Sequence, residues 1–165
     1  MENFTQCYLH LGSNIGDRLH HLRAAKAQIA ERIGPISQYS KYYETEAWGL
    51  TDQADFINQA IGVQTELSPE ALLDTVLSIE ENLGRERKEK WSARLIDIDI
   101  IFYGDQIVQS ERLAIPHPHL HQRNFVLIPM LEIAGDWMHP QLLQTIEELY
   151  LTSKDPLEVI MLDEL

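Results

Sequence analysis

The stretch Gly-Arg-Glu-Arg-Lys-Glu-Lys-Trp-Ser-Ala-Arg-Leu-Ile-Asp-Ile-Asp-Ile-Ile-Phe, residues 84–102, predicts a cationic loop followed by a buried strand. Side chains of a strand alternate between its two faces, so Asp97 and Asp99 share one face and the neighbouring isoleucines share the other. Two carboxylates about 6.6 Å apart among apolar side chains are costly to bury without a partner. Mg²⁺ would offset this cost, because it commonly binds one or two carboxylates together with phosphate oxygens and water. The pattern therefore predicts a magnesium site on this strand.

The loop before the strand concentrates positive charge in a chain that has little of it. Its cations are Arg85, Arg87, Lys88, Lys90 and Arg94, with Trp91 among them. Cations that can reach a polyphosphate thus precede carboxylates that can hold its metal, which indicates phosphoryl-type transfer. The alternative is an Asp-x-Asp pair that faces solvent beside an ordinary solvated loop.

Length and composition set the broad class of the protein. The chain has 165 residues, which predicts one domain spanning 1–165. With 44% apolar and 24% charged residues, it is expected to fold rather than to be disordered. The net charge of −13 argues against a broad nucleic-acid-binding surface. A single cysteine, Cys7, and the lack of a long apolar segment or signal peptide predict a cytoplasmic protein without a membrane span. Cys7 itself is expected to be a small buried residue rather than a nucleophile.

The order of apolar patterns predicts the fold class. Strands are expected at residues 4–11, 36–43, 56–63 and 96–102, and helices at 18–33 and 69–83. Ser68 and Pro69 suit the start of the second helix, and Gly84 suits its end. The order β-α-β-β-α-β, with the Asp strand fourth, indicates an α+β protein: a ferredoxin-like sandwich with a mainly antiparallel sheet and helices packed on it. The apolar segment 125–133 is expected in the core, and a further helix is expected after residue 141.

Residues 115–125 contain three histidines at every second position, at 117, 119 and 121. A closed zinc site would need four ligands and no cysteine is near, so zinc is the weaker alternative. His117 and Arg123 are better explained as phosphate contacts, since imidazolium and guanidinium both donate charge-assisted hydrogen bonds. A solvent-facing turn remains the alternative for any one of these histidines.

Several aromatic and polar residues could form a pocket for a flat heterocycle: Thr45, Trp48, Phe56, Asn58 and Phe125. Aromatic rings stack on such a ligand, and an amide can pair with its ring donors and acceptors. The alternative is that the two phenylalanines are plain core residues. The residues alone thus predict a metal-dependent transferase acting between a nucleoside triphosphate and a small planar acceptor.

Taken together, these motifs resemble those of the 6-hydroxymethyl-7,8-dihydropterin pyrophosphokinases of folate biosynthesis. The resemblance covers nearly the whole chain and rests on Gly12-Ser13-Asn14, Phe56-Ile57-Asn58, Gly84-Arg85-x-Arg87, Arg94-x-x-Asp97-x-Asp99, and Pro116-His117-Pro118 with Arg123 and Phe125-Val126-Leu127. It implies the ferredoxin-like sandwich with added helices. It also implies transfer of the β,γ-diphosphate of ATP to the pterin hydroxymethyl group, with release of AMP.

The resemblance further implies roles for individual residues. Asp97 and Asp99 would bind two Mg²⁺ ions and, with Arg85 and Arg94, form the catalytic group. Arg85, Arg94, His117 and Arg123 would contact the triphosphate, Arg87 and Arg112 are weaker candidates, and Glu80 and Ile100 would lie near the nucleotide. Phe56 and Phe125 would sandwich the pterin, Thr45, Asn58 and the backbone around Trp48 would bind its edge, and Trp91 would close over the site. Ser92-Ala93, Lys90 and His119 depart from the family pattern. The implied partners are ATP and the hydroxymethyl dihydropterin, bound by a monomer that binds neither nucleic acid nor a membrane.

Two other functions also fit parts of the pattern. One is a phosphatase with an aspartyl nucleophile in Asp97-x-Asp99, although Ile101 stands where such enzymes favour Thr or Val. The other is a ferredoxin-like module that binds a small ligand without catalysis. Formation of AMP from ATP distinguishes pyrophosphoryl transfer from both.

Overall fold

The computed structural model describes residues 3–46, 55–84 and 95–162, which form eight strands and four helices. The strands are β1 (Thr5–Ser13), β2 (Ile36–Tyr39), β3 (Tyr43–Thr45), β4 (Phe56–Thr65), β5 (Asp97–Tyr103), β6 (Val108–Gln109), β7 (Ala114–Ile115) and β8 (Val159–Met161). The helices are α1 (Arg18–Arg32), α2 (Pro69–Asn82), α3 (Asn124–Ala134) and α4 (Ile146–Thr152). Within these ranges, no helix combines the length and apolar character needed to cross a membrane.

The main sheet has the strand order β5-β1-β4-β3-β8, and β2 pairs with β4 beside β3. Every pairing between these strands is antiparallel. Since β2 and β3 together take the place of one strand, the order from β1 to β5 is that of the β-α-β-β-α-β unit. The predicted α+β, ferredoxin-like sandwich is therefore confirmed.

Apolar side chains pack on both faces of this sheet. On one face, α1 and α2 cover a core that includes Leu9, Ile61 and Ile98. On the other face, α3 and α4 cover a second core around Tyr8 and Phe102. Alternation along β1 assigns odd residues to the first core and even residues to the second face. The second face is the one that carries the polar groups described below.

The boundaries of the two helices on the first face follow from their capping residues. Ser68 Oγ accepts a hydrogen bond from the Ala71 amide at 3.2 Å, and Pro69 begins α2. Gly84 follows α2 with φ +94°, a left-handed conformation that favours glycine. Asp17 caps α1 by accepting from the His20 amide at 3.1 Å. Both helices thus begin and end close to where the sequence predicts.

The segment 36–43 is not one strand, as predicted, but two. Between β2 and β3, Ser40 Oγ accepts a hydrogen bond from the Ala60 amide at 3.0 Å, and the Lys41 amide donates to the Glu132 carboxylate of α3. These side-chain bonds replace ladder bonds, so the chain leaves the strand and re-enters it at Tyr43. The Asp strand is consequently the fifth strand rather than the fourth.

Three other expectations are refined by the structure. The apolar segment 125–133 lies in the core as expected, but as helix α3. A helix after residue 141 is confirmed as α4, and β8, which the sequence analysis does not predict, pairs with β3. Cys7 is fully buried, and burial raises the pKa of its thiol to about 12, as suits a core residue rather than a nucleophile.

Candidate active site

A row of four residues crosses the second face of the sheet. Gly12 of β1 lies opposite Asp97 of β5 on one side and Asn58 of β4 on the other, and Asn58 lies opposite Tyr43 of β3. Side chains of residues paired in this way project from the same face. With neighbouring strands about 4.8 Å apart, Asp97 and Asn58 are separated by roughly 10 Å. The metal-binding candidate and the pocket candidate are therefore neighbours on one face.

Gly12 keeps the middle of this row open. A Cβ placed there would meet Asn58 Oδ1 and Phe56 Cδ1, each at 3.5 Å. Those distances are ordinary van der Waals contacts, so a side chain would fill the space between the asparagine and the phenylalanine without a backbone clash. The bare backbone at Gly12 thus leaves a side-chain-sized space, the cleft, beside Asn58 and Phe56.

Asn58 and Thr45 are both buried, and they bind each other. Asn58 Nδ2 donates to Thr45 Oγ1 at 2.9 Å and to the Tyr43 carbonyl at 3.2 Å. Both amide hydrogens are therefore used by β3, which orients Asn58 Oδ1 toward Gly12 as a hydrogen-bond acceptor. The pair thus presents an oriented acceptor to a ligand in the cleft.

Phe125 lies in the first turn of α3, and its backbone carbonyl accepts a hydrogen bond from His10 of β1. Pro129, four residues further on, lacks an N–H, so it leaves the Phe125 carbonyl without its usual helical partner. His10 Nε2 lies 3.1 Å from this carbonyl oxygen and donates to it, and the two rings meet edge to face at 5.5 Å between centroids. Burial lowers the pKa of His10 to about 4, an effect that outweighs the bond to Phe125. His10 is therefore a neutral ring protonated at Nε2.

The two aspartates lie on the edge strand β5, and helix α2 supports them. Asp97 and Asp99 are both half-buried, and Asp99 lies opposite His10 in the β1–β5 register. Between them, the Ile98 amide donates to Glu80 Oε2 of α2 at 2.9 Å. Glu80 is only 4% exposed, so this bond fixes the start of β5 against the helix. Glu80 thus orients the backbone that carries both carboxylates.

A cavity of about 330 Å³ opens beside this edge strand. It is bounded by α2, β5 and the segment 112–118, and its lining includes the predicted metal ligands Asp97 and Asp99 and the predicted nucleotide residues Glu80, Ile100, Arg112 and His117. Its walls are apolar where α2 contributes Leu73 and Val76 and charged where β5 contributes its carboxylates. The structure thus brings six predicted residues together around one cavity.

His117 differs from its predicted charge state. Its Nδ1 accepts a hydrogen bond from the His119 amide at 3.2 Å, which leaves the proton on Nε2. Burial, followed by the charges of Arg123 and His119, lowers the pKa of His117 to about 4. Near neutral pH, His117 is therefore a neutral ring in this structure and donates through Nε2, whereas the sequence analysis expects an imidazolium.

The two arginines near His117 differ in their surroundings. Arg123 lies at the N-terminus of α3, with its guanidinium carbon 5.7 Å from the Phe125 ring centroid. Arg112, at the rim of the cavity, donates to Glu70 Oε2 at 3.2 Å and to Asp74 Oδ1 at 2.5 Å, both on α2. A phosphate would have to compete with these carboxylates for Arg112, which agrees with its rank as a weaker candidate.

Other predicted site residues lie outside the described ranges: Trp48, Arg85, Arg87, Trp91 and Arg94. Within those ranges, no group of three or more His, Cys, Asp or Glu side chains could hold a metal, so nothing there supports the zinc alternative. The sequence analysis did not identify His10 as part of the site. Alternation along β1 places it on the same face as Gly12, but its contacts with Phe125 depend on pairing with distant segments.

Comparison with known proteins gives an independent view of the chain. A family model described as 7,8-dihydro-6-hydroxymethylpterin-pyrophosphokinase matches residues 8–135. The chain is 44% identical over 140 residues to a Synechocystis protein named 2-amino-4-hydroxy-6-hydroxymethyldihydropteridine pyrophosphokinase, covering 84% of this chain and 71% of that protein. A Methylorubrum extorquens protein of the same name is 46% identical over 133 residues, covering 80% and 84%.

The solved structures that resemble this fold are more distant in sequence. A Plasmodium falciparum HPPK-DHPS triple mutant superimposes with a TM-score of 0.75 at 17% identity, covering 92% of this chain. The wild-type form of that protein gives a TM-score of 0.72 at 16% identity. The chain spans less than half of these solved chains, 43% and 45%. At such low identity, this likeness supports the fold alone.

Proposed function

The chain belongs to the 7,8-dihydro-6-hydroxymethylpterin-pyrophosphokinase family, and on this basis we propose that it transfers the β,γ-diphosphate of ATP to 6-hydroxymethyl-7,8-dihydropterin. The reaction releases AMP and belongs to folate biosynthesis. The observation that supports it best is the row across the sheet, in which Asp97 and Asn58 flank the bare backbone of Gly12. This placement would bring a metal-bound phosphate close to a planar acceptor.

The pterin would occupy the cleft over Gly12. Phe56 and Phe125 are half-buried at its sides, which suits stacking on the two faces of a flat ring. Asn58 Oδ1 would accept a hydrogen bond from a ring N–H, while Thr45 keeps the amide in that orientation. We include Trp48 and Trp91 as further pterin contacts on the strength of the sequence motifs.

The nucleotide would occupy the cavity beside β5. The apolar wall from α2 and Ile100 suits the base, and the carboxylates of β5 suit a metal-bound triphosphate. His117 and Arg123 would donate hydrogen bonds to phosphate oxygens from the opposite side. We assign Arg85, Arg87 and Arg94 to the same phosphates from the sequence motifs, with Arg112 as a weaker contact and Glu80 as a support beneath them.

The donor set of Asp97 and Asp99 fits Mg²⁺. Both are half-buried carboxylates on one strand face, and among the described residues they are not joined by nitrogen or sulfur ligands in a cluster that would favour zinc. When bound, Mg²⁺ would supply charge neutralisation and orientation of the phosphate oxygens. We propose that these two residues hold two such ions.

The residues of the chain act mainly by placement and by charge. The hydroxymethyl oxygen attacks the β-phosphorus as its proton passes to water, and the bond from that phosphorus to the α,β-bridging oxygen breaks, so that AMP departs with the bonding electrons. Phe56, Phe125 and Asn58 hold the hydroxymethyl group in line with the departing oxygen. Arg123 stabilises the negative charge that spreads over the transferred group.

The last parts of the proposed function are the domain organisation, the oligomeric state and the location of the protein. We propose that residues 1–165 form one pyrophosphokinase domain, since β8 near the C-terminus joins the same sheet as β1. We propose that it works as a monomer, and that it acts in the cytoplasm, where a lone cysteine stays reduced.

The test is the identity of the nucleotide product. Incubation with ATP, MgCl₂ and the hydroxymethyl dihydropterin should give AMP and pterin diphosphate in equal amounts. Asp97→Asn and Asp99→Asn should each lower kcat by about 10³-fold, because charge stabilisation of the transition state is lost. Asp105→Asn, at an exposed position in the turn after β5, is the matched control. Release of ADP or inorganic phosphate, or near-normal kcat in both aspartate variants, would contradict the proposal.

A further inference from the structure

Arg18, the first residue of α1, ties two strands of the sheet to that helix. Its Nη1 donates to Glu44 Oε2 of β3 at 2.7 Å and to the Asp55 carbonyl just before β4 at 2.9 Å. The Arg18 and Glu44 side chains are 30% and 28% exposed, so the ion pair is partly shielded from water. One nitrogen thus joins the end of β3, the beginning of β4 and the beginning of α1.

Arg18 lies at a helix N-terminus, where a basic side chain is normally unfavourable. The N-terminus of a helix carries a partial positive charge and favours acidic side chains, yet α1 has none in its first turn. A cation at this point is unfavourable unless anions compensate it. The N-cap carboxylate of Asp17 is one such anion, and Glu44 of β3 supplies a second one that pairs directly with Arg18.

The two residues bound by Arg18 are each adjacent to a residue of the cleft. Glu44 precedes Thr45, and Asp55 precedes Phe56, and Thr45 and Phe56 are themselves paired in the β3–β4 register. Thr45 orients Asn58, and Phe56 lies 3.5 Å from the open position above Gly12. The guanidinium therefore holds the end of β3 and the beginning of β4. These two strand ends set the width of the cleft on the side away from β5.

We infer that Arg18 is a positioning residue for the planar acceptor, acting through Glu44 and Asp55 on Thr45 and Phe56. This inference rests on the proposed function, because it assigns the cleft to the pterin. Loss of the guanidinium releases the ends of β3 and β4 and changes the positions of Thr45 and Phe56. The nucleotide cavity lies at the opposite edge of the sheet, against β5 and α2, and is not touched by Arg18.

The test is the separate effect of Arg18→Met on the two substrates. We expect KM for the pterin to rise by up to about tenfold, since the indirect effect cannot exceed the worth of one charge-assisted hydrogen bond, while KM for ATP changes less than about twofold. Arg18→Lys should restore part of the pterin affinity, because an ammonium can still pair with Glu44. Arg32→Met is the matched control, since Arg32 ends the same helix and donates to Ser78 at the surface.

Glu44→Gln provides a second variant that keeps the side-chain shape and removes the charge. It should also raise KM for the pterin. If Arg18→Met fails to fold, this variant tests the inference in its place. An unchanged pterin KM in both variants, or an equal rise in both substrate KM values, would overturn the inference. Failure of the proposed function has a different outcome: the wild-type protein itself would form no AMP from ATP and the pterin.

Discussion

Replacement of His10 by glutamine should change how the stability of the protein depends on pH. His10 is 4% exposed and donates through Nε2 to the carbonyl that Pro129 leaves without a helical partner. A glutamine amide nitrogen can reach a similar position, so the variant should keep this hydrogen bond. It removes the group that titrates and also the ring contact with Phe125, whose loss does not depend on pH.

The sign of the effect follows from the direction of the pKa change. Burial lowers the pKa of His10 from 6.5 to about 4 in the folded protein. Between these values the unfolded chain binds a proton that the folded chain does not, so folding becomes less favourable as the pH falls below 6.5. Above pH 6.5 the contribution is fully present. From pH 7.5 to pH 5, His10 should therefore cost the wild type about 2 kcal/mol of folding free energy.

Urea unfolding followed by circular dichroism measures this cost. The difference in unfolding free energy between wild type and His10→Gln should shift by about 2 kcal/mol in favour of the variant between pH 7.5 and pH 5. His117, whose pKa is lowered in the same direction, is present in both proteins, so only its repulsion of His10, a smaller cause of the lowered His10 pKa than burial, differs between them. His20→Gln, which removes an exposed histidine from α1, is the matched control. Parallel pH curves for wild type and His10→Gln, or a folded-state pKa near 6.5 by NMR, would refute the reasoning.

Three further predictions follow from single contacts. Glu80→Ala should lower the free energy of unfolding by about 1–3 kcal/mol, because the buried Ile98 amide loses its acceptor, and Glu80→Gln should recover most of it; equal stabilities in urea would contradict this role. Phe125→Ala should weaken pterin binding by roughly 1–3 kcal/mol in calorimetry, and an unchanged affinity would show that Phe125 serves the core alone. Gly12→Ala should fold normally, since the added Cβ meets only contacts of 3.5 Å or more. It should nevertheless weaken pterin binding by about 1–3 kcal/mol in calorimetry, because the methyl group crowds the cleft. Normal binding would mean that the pterin ring lies elsewhere.

The family and the fold could be read from the chain because local signals agree with one another. Ser68 and Pro69 begin α2 where capping preferences place them, and Gly84 follows it with a positive φ. The split of 36–43 into two strands could not be read in this way. It depends on Ser40 bonding to β4 and Lys41 bonding to Glu132 of α3, both far away in the sequence.

The protonation state of His117 likewise could not be predicted from the sequence. The sequence predicts that His117 contacts phosphate, but the tautomer follows from the His119 amide and the lowered pKa follows from burial beside Arg123. The support that Glu80 gives to β5 likewise appears only when α2 is packed against that edge strand.

The amino-acid sequence by itself determined that Asp97 and Asp99 project from the same face of one strand, because backbone geometry alternates side chains without help from the rest of the chain. Only the tertiary structure decided what shares that face with them. The opposition of Asp97 and Asn58 across Gly12, and of Asp99 and His10, is a matter of strand register. Register between segments this far apart in the chain depends on how both faces of the sheet are buried, which is a property of the whole fold.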